Sequence, residues 1–282
     1  MADGLLMLGA EPAGILTKRL RADFEALSAR RGSIGLRIVR CGDDAASVSY
    51  GLAIVRAFRK IGVEVETVTL RDDVSDEELA DKLAALGADP QTHGIIVQEP
   101  YPPQINAGIV VRTLAPEKDV DCVTPTRFGE LCAGHSNVAP ATAAAVVQML
   151  DHYCIPVEGK RAVVVGRSNI AGKPAALLLL ARHATVTVCH TRTRDLASEL
   201  RQADIIVAAA GRPGLVKGEH VREGVVVVDV GTNYTDGGVV GDVDFESVAP
   251  KAAAITPVPK GVGPLTNLML ASNLLNLLKE GS

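Results

Sequence analysis

The stretch Ala162-Val-Val-Val-Gly-Arg-Ser-Asn-Ile-Ala-Gly-Lys-Pro174 carries residue types suited to holding a phosphate. A short β-branched run stops at Gly166, and a loop of small residues leads through Gly172 to a helix opened by Pro174. Such a run reads as a buried parallel strand. Glycines let the backbone approach a bound group, and the free N–H groups and positive dipole end of the following helix suit an anion. The pattern is Gly-x-Ser-x-x-x-Gly rather than the Gly-x-Gly-x-x-Gly fingerprint, and it also fits an ordinary tight β-to-α turn. Residues further on favour a nucleotide. A second strand, Thr185-Val-Thr-Val-Cys-His190, arrives one β-α-β unit later. An NAD site usually has an acidic residue near that strand end to hold the ribose 2′-OH. Here the chain reads His190-Thr-Arg-Thr-Arg194 instead. Arg167, Arg192 and Arg194 offer charge to a 2′-phosphate, and Thr191 offers a hydroxyl, which points to NADP over NAD. The expected cofactor-binding residues are therefore Gly166, Arg167, Ser168, Gly172, Thr191 and Arg192, with Gly211 and Thr232 at later strand ends.

A scaffold must position these groups. At 282 residues the chain suits two modest domains or one large one. With 47% apolar residues it reads as a soluble globular protein with a substantial core. A formal net charge of −4 argues against non-specific nucleic-acid binding, and four Tyr, four Phe and no Trp leave little for stacking bases. No basic region followed by an apolar stretch opens the chain, and no run approaches the ~20 apolar residues of a membrane span. Cys41, Cys122, Cys132, Cys154 and Cys189 form an odd set without Cys-x-x-Cys spacing, and the six histidines show no ligand spacing. Neither disulfides nor a metal is expected, and the location expected is cytoplasmic.

The pattern predicts helices over 16–29, 47–61, 75–86 and 106–114, alternating with strands over 34–41, 63–70 and 94–98. Ser75-Asp-Glu-Glu reads as an N-cap with an acidic first turn. A helix over 142–153 bridges to strands at 162–165, 185–190, 204–211, 224–231 and 254–256, with a small turn at 236–238 and a last helix over 265–278. This rhythm implies an α/β fold of parallel β-α-β units in two halves. Ligands bind outside the carboxyl ends of such strands. Those ends are Gly42-Asp43, Gln98, Gly166 to Ser168, Gly211 to Pro213 and Gly231 to Asn233, which a cleft between the halves would gather.

Several further blocks stand in order. They are Gly94-Ile-Ile-Val-Gln98 with Pro100 and Pro102, Lys118-Asp-Val-Asp121, Gly166 to Pro174, Gly211-Arg-Pro-Gly214 and Asp229-Val-Gly231 with Asn233. Gly241-Asp-Val243, Ile255-Thr-Pro-Val-Pro259, Gly261-Val-Gly-Pro264 and Thr266 complete the set. Together they resemble the methylenetetrahydrofolate dehydrogenase/cyclohydrolase family from near the N-terminus to the last helix. The resemblance implies a folate-binding catalytic domain over 1–140, completed by a C-terminal helix over 265–282, and a Rossmann-type NADP domain over 141–264. It implies a homodimer that oxidises 5,10-methylenetetrahydrofolate with NADP in one-carbon metabolism. The methenyl product is then hydrolysed to 10-formyltetrahydrofolate. It also implies Tyr50, Gln98 and Asp121 as catalytic residues. Tyr50 would stack on a flat ring and Asp121 would accept hydrogen bonds from the pterin, with Pro264 and Thr266 shaping the substrate side.

One departure bears on the chemistry. The family carries Tyr-x-x-x-Lys, with ring and amine one helical turn apart, whereas here Ile54 follows Tyr50. Ile54 neither carries a proton nor polarises a water, and Gln98 loses the lysine it would bond. Hydride transfer needs alignment and exclusion of water. Hydrolysis needs managed proton transfer, which a positioned base accelerates by ~10²–10⁴-fold. A dehydrogenase with weak or absent cyclohydrolase activity is therefore expected. Other departures cluster with it: Glu99 for Leu, Cys122 for Gly, Pro140-Ala-Thr-Ala143 for Pro-Cys-Thr-Pro, Lys260 for Gly and Leu274 for Thr. Lys260 can supply the amine that Ile54 lacks, pair with Glu99, or simply face solvent. These changes leave open a paralogue acting on another substrate, or a folate- or nucleotide-binding protein without turnover.

Overall fold

The computed structural model describes residues 4–280. β1 (Leu5–Leu6) and α1 (Ala10–Arg31) lead into β2 (Gly35–Cys41), α2 (Ala45–Arg59), β3 (Glu64–Leu70), α3 (Asp76–Ala88), β4 (Gly94–Val97) and α4 (Ala107–Thr113). Then α5 (Pro125–Ala133) and α6 (Ala141–His152) precede β5 (Arg161–Val165), α7 (Gly172–Leu180), β6 (Thr185–Cys189), α8 (Leu196–Arg201), β7 (Ile205–Ala208) and β8 (Val225–Asp229). A hairpin of β9 (Asn233–Thr235) and β10 (Gly238–Val240), α9 (Phe245–Val248), β11 (Ala252–Ile255) and α10 (Gly263–Glu280) close the chain. Among the described residues no helix is long and apolar enough to cross a membrane.

The chain divides into two compact units, one of Ile15–Ala139 with the residues from Asn267 on, the other of the residues up to Gly14 with Pro140–Thr266. In the first, β2 lies between β3 and β4 in a parallel three-stranded sheet. β2 is buried over most of its length, as a central parallel strand must be. The N-cap read at Ser75 is a full capping box: Glu78 N–H donates to Ser75 Oγ (3.2 Å) and Ser75 N–H donates to Glu78 Oε2 (2.9 Å).

The second unit holds a six-stranded sheet in the order β1-β11-β8-β7-β5-β6, all parallel. β7 and β8 are buried at every residue, and β5 at all but Arg161. Val163, Val165, Ile206, Val225 and Val227 share one core cluster. β6 lies on one side of β5 and β7 on the other, so strand order reverses there. The crevice at such a reversal is where α/β sheets bind ligands.

The structure differs from expectation in places. The opening residues do not join the first half: Leu5 and Leu6 pair with Ala254 and Ile255 and extend the second sheet. A two-residue strand carries no periodicity to read. Pro174 is the third residue of α7, which begins at Gly172. The turn at 236–238 is the tip of the β9–β10 hairpin. Helices α5 and α8 were not anticipated; Thr124 Oγ1 caps the first by accepting from Arg127 N–H, and Asp195 caps the second by accepting from Ser198 N–H.

Candidate nucleotide cleft and substrate side chains

A cleft of about 330 Å³ opens at the carboxyl ends of β5, β6 and β7, lined by Val165, Gly166, Arg167, Ser168, His190, Thr191, Thr193, Leu196, Ala209, Ala210, Arg212 and Leu215. It sits at the strand reversal. A Cβ on Gly166 would lie 2.0 Å from the Ala209 carbonyl oxygen, and one on Gly172 would lie 2.2 Å from the Gly166 carbonyl oxygen. Only glycine at both positions lets the two strand ends and the start of α7 close around this point.

The helix end differs from the anion cradle expected. Ser168 Oγ accepts hydrogen bonds from the N–H groups of Ala171 (3.2 Å) and Gly172 (3.4 Å), and Lys173 N–H donates to Ser168 O. Ala175 N–H donates to Ala171 O, and Pro174 has no N–H. The first turn thus spends its donors internally, because the Ser168 hydroxyl acts as its cap. What remains for a phosphate there is the positive end of the helix dipole and the Arg167 side chain.

Of the expected cofactor residues, Gly166, Arg167, Ser168 and Thr191 line the cleft. Gly172 packs behind the turn, and Gly211, with φ +64°, stands between the lining residues Ala210 and Arg212. Arg192 and Thr232 are exposed and outside the lining. Arg212 and His190 were inside quoted motifs but not singled out, whereas Leu196 and Leu215 had no signal beyond being apolar. Arg167 and Arg212 bring positive charge, the hydroxyls of Ser168, Thr191 and Thr193 bring donors, and among the described residues no carboxylate lines the cleft. A dinucleotide carrying a 2′-phosphate fits this composition. A ribose held by an acidic side chain does not.

A buried carboxylate holds the loop on the β7 side. Asp242 Oδ2 accepts from the N–H groups of Ala210 (2.5 Å) and Gly211 (2.9 Å), and Oδ1 accepts from Arg212 N–H (2.8 Å) and Asn233 Nδ2 (2.9 Å). Asp229, at the end of β8, accepts from Gly231, Asp242 and Val243 N–H groups. Burial pushes the Asp229 carboxyl up to about 6, against those donors and with help from the Asp242 charge.

Of the residues expected on the substrate side, Tyr50, Gln98 and Asp121 fall within one unit, and Pro264 and Thr266 stand in the first turn of α10, in the other. Ser47, Gly51, Ile54 and Phe58 form the buried stripe of α2. Ile54 is 0% exposed, and Tyr50 stands nearer solvent at 43%. Desolvation, then the Asp121 charge, raises the Tyr50 phenol above its usual range, so Tyr50 is a neutral hydroxyl beside a carboxylate. Asp119 supports this corner: it is fully buried and accepts from the Val123 and Thr124 N–H groups, holding the loop that carries Asp121. A Cβ on Gly51 would lie 2.8 Å from Gln98 Oε1, so the Gln98 amide lies flat on the helix. Gln98 Nε2 donates to Ser47 O (3.1 Å), whereas Gln98 Oε1 and Ser47 Oγ are buried without a partner among the described residues.

The remaining departures sort by environment. Leu274 is fully buried with its Cδ1 over Gly94, and Ala141 and Ala143 are core residues of α6. Cys122 and Lys260 have φ of +56° and +88°. The Cys122 thiol is pushed up to about 12 by burial, then by Asp119 and Asp121, and stays protonated. Glu99 and Lys260 are exposed.

Residues 7–121 match the family model described as tetrahydrofolate dehydrogenase/cyclohydrolase, catalytic domain, and residues 140–282 match the NAD(P)-binding domain of the same enzymes. The chain belongs to the tetrahydrofolate dehydrogenase/cyclohydrolase family. It is 45% identical over 277 residues to the bifunctional protein FolD of Lactobacillus delbrueckii subsp. bulgaricus, covering 98% of each chain. The crystal structure of the bifunctional enzyme FolD from Campylobacter jejuni superposes with a TM-score of 0.95 at 38% identity, covering 98% of this chain and 99% of that one. FolD of Trypanosoma brucei, solved with NADP cofactor and an inhibitor, superposes at 0.93 with 38% identity, covering 100% and 99%.

Proposed function

We propose that this family member oxidises 5,10-methylenetetrahydrofolate to the methenyl form with NADP and is weak or inactive as a cyclohydrolase. The observation that carries the reading is an asymmetry. The nucleotide cleft is lined by Arg167, Arg212 and the hydroxyls of Ser168, Thr191 and Thr193, whereas the position one turn after Tyr50 holds a completely buried isoleucine.

NADP, when bound, accepts the hydride that leaves the folate methylene carbon. Arg167 and Arg212 balance its phosphate charge, and Thr191 and Arg192 address the 2′-phosphate, with Gly211 and Thr232 on neighbouring loops. Tyr50 supplies a neutral ring surface for the folate, and Asp121 accepts from the pterin. Ile54 keeps water away from the buried side of α2, which suits hydride transfer. Gln98 offers an acceptor, but no amine partners it among the described residues. Hydrolysis of the methenyl group therefore lacks a proton carrier at this position, a loss on the order of 10²–10⁴ in rate.

The test follows NADP reduction with methylenetetrahydrofolate and, separately, decay of methenyltetrahydrofolate. Fast reduction with near-spontaneous hydrolysis supports the proposal. Hydrolysis well above the spontaneous rate refutes the second half, and binding of both ligands without reduction refutes the first. The homodimer and cytoplasmic location implied by the resemblance belong to the same proposal. Light scattering of the purified chain tests the former, and fractionation of cells expressing it tests the latter.

A further inference from the structure

The turn after β6 is held by the side chains of Thr193 and His190, the second of which the cofactor reading does not use. His190 N–H donates to Thr193 Oγ1 (2.9 Å), and Thr193 N–H donates back to His190 O (2.8 Å). Arg192 N–H donates to His190 Nδ1 (3.0 Å). The imidazole thus accepts from the backbone two residues on, as an Asn or Asp side chain does in an Asx-turn. Thr191 and Arg192 are the two central residues of this turn. His190 and Thr191 both line the cleft, and Arg192 stands exposed beside it.

We infer that His190 is a positioning residue for cofactor choice: its Nδ1 locks the turn that presents Thr191 and Arg192 to a 2′-phosphate. The inference rests on the proposed role of those two residues. Without the imidazole, the Arg192 N–H loses its partner and the two central residues of the turn are no longer fixed by the side chain that precedes them. Discrimination between a 2′-phosphate and a 2′-hydroxyl then falls, because side chains must be ordered at the moment of binding. The lock is made through Nδ1 as the acceptor.

Asparagine and glutamine separate this role from direct contact. An Asn Oδ1 stands where Nδ1 does and reaches the same backbone N–H, whereas a Gln amide reaches the place of Nε2. The probes are 2′,5′-ADP and 5′-AMP, titrated calorimetrically against the full-length chain and its H190A, H190N and H190Q variants, together with KM and kcat for NADP. The expected result is a wild-type preference for 2′,5′-ADP that falls about three- to tenfold in H190A and H190Q, the range for one hydrogen bond, and is kept in H190N. The loss should appear in the KM for NADP rather than in kcat. A preference kept by H190Q and lost in H190N overturns the proposal in favour of direct contact through Nε2. A preference unchanged in H190A, or equal losses for both probes in every variant, also overturns it. A wild-type chain that does not prefer 2′,5′-ADP overturns the 2′-phosphate reading itself, and the proposal with it.

Discussion

Replacing Asp242 by Asn tests whether one carboxylate holds the far lip of the nucleotide cleft. Asp242 is 0% exposed and accepts four hydrogen bonds, three of them from the consecutive N–H groups of Ala210, Gly211 and Arg212. Asn has the same shape but only one accepting oxygen. Whichever way its amide turns, an NH₂ group faces two donors. If the oxygen stays with Ala210 and Gly211, the bonds from Arg212 and Asn233 are lost, although Asn233 can turn its own amide and recover one. A hydrogen bond to a charged acceptor contributes about 1.5–3 kcal/mol. Some relief comes from removing a charge near Asp229, whose pKa Asp242 helps to raise. The net loss is on the order of 2–3 kcal/mol, a sizeable share of the roughly 5–15 kcal/mol that holds a domain together. Urea unfolding should show a lower midpoint at unchanged slope. The KM for NADP should rise, because Ala210 and Arg212 line the cleft, and the Asp229 carboxyl should titrate lower. A variant within about 0.5 kcal/mol of the parent and with an unchanged NADP KM would refute the reasoning.

Lys260→Gly should stabilise the chain by about 1 kcal/mol in urea unfolding, since an exposed L-residue at φ +88° is strained and glycine is not. Cys122→Gly should be nearly neutral, because relief at φ +56° is offset by the packing lost from a thiol only 1% exposed; equal gains at both sites would contradict this. The Asp229 carboxyl should titrate near 6 by carbon NMR. Its folded pKa lies above the usual aspartate value of 3.8, so the folded state binds the proton more tightly and stability falls as pH rises from about 4 through 6. The loss from this group is about 3 kcal/mol at most, and a carboxyl already ionised at pH 4 would refute it. Ile54→Lys should raise methenyl hydrolysis by about 10²-fold or more while lowering stability, because the new amine is buried. A folded variant that hydrolyses no faster would show that position 54 is not what limits the second reaction.

The nucleotide side was legible because strand periodicity and the strand-end rule act together. A β-branched run ending in glycine, followed after one helix by a second strand that stops just before His190, marks both the switch point and the residues that reach it. Direction was not legible. Thr232 stands at a strand end as predicted, yet its exposed side chain lies outside the cleft lining. The donors of the α7 first turn were expected to be free, but whether a serine hydroxyl turns back onto them depends on a rotamer rather than on spacing. Asp242 was quoted only as part of a motif. The three N–H groups it gathers lie some 30 residues away in sequence, and no local pattern reports that contact.

The departures from the family pattern carry unequal weight once their environments are known. Leu274, Ala141 and Ala143 are packing changes in a closed core, and Glu99 is exposed. Cys122 and Lys260 replace glycine where the backbone is left-handed, so their first consequence is strain rather than new chemistry. Ile54 removes an amine, the one basic group lost among these departures, and it does so on the buried stripe that also bears Ser47 and Gly51, against which lies an amide oxygen with no partner among the described residues. A set of changes that in sequence resembles a remodelled substrate pocket thus contains one loss of a base, beside a thiol and a hydroxyl given up at the buried positions Ala141 and Leu274. A paralogue with a different substrate would need a change that offers a new donor, acceptor or shape to a ligand. Among the residues that depart from the family, only the exposed Glu99 and Lys260 bring such a group, and the K260G variant measures what one of them contributes.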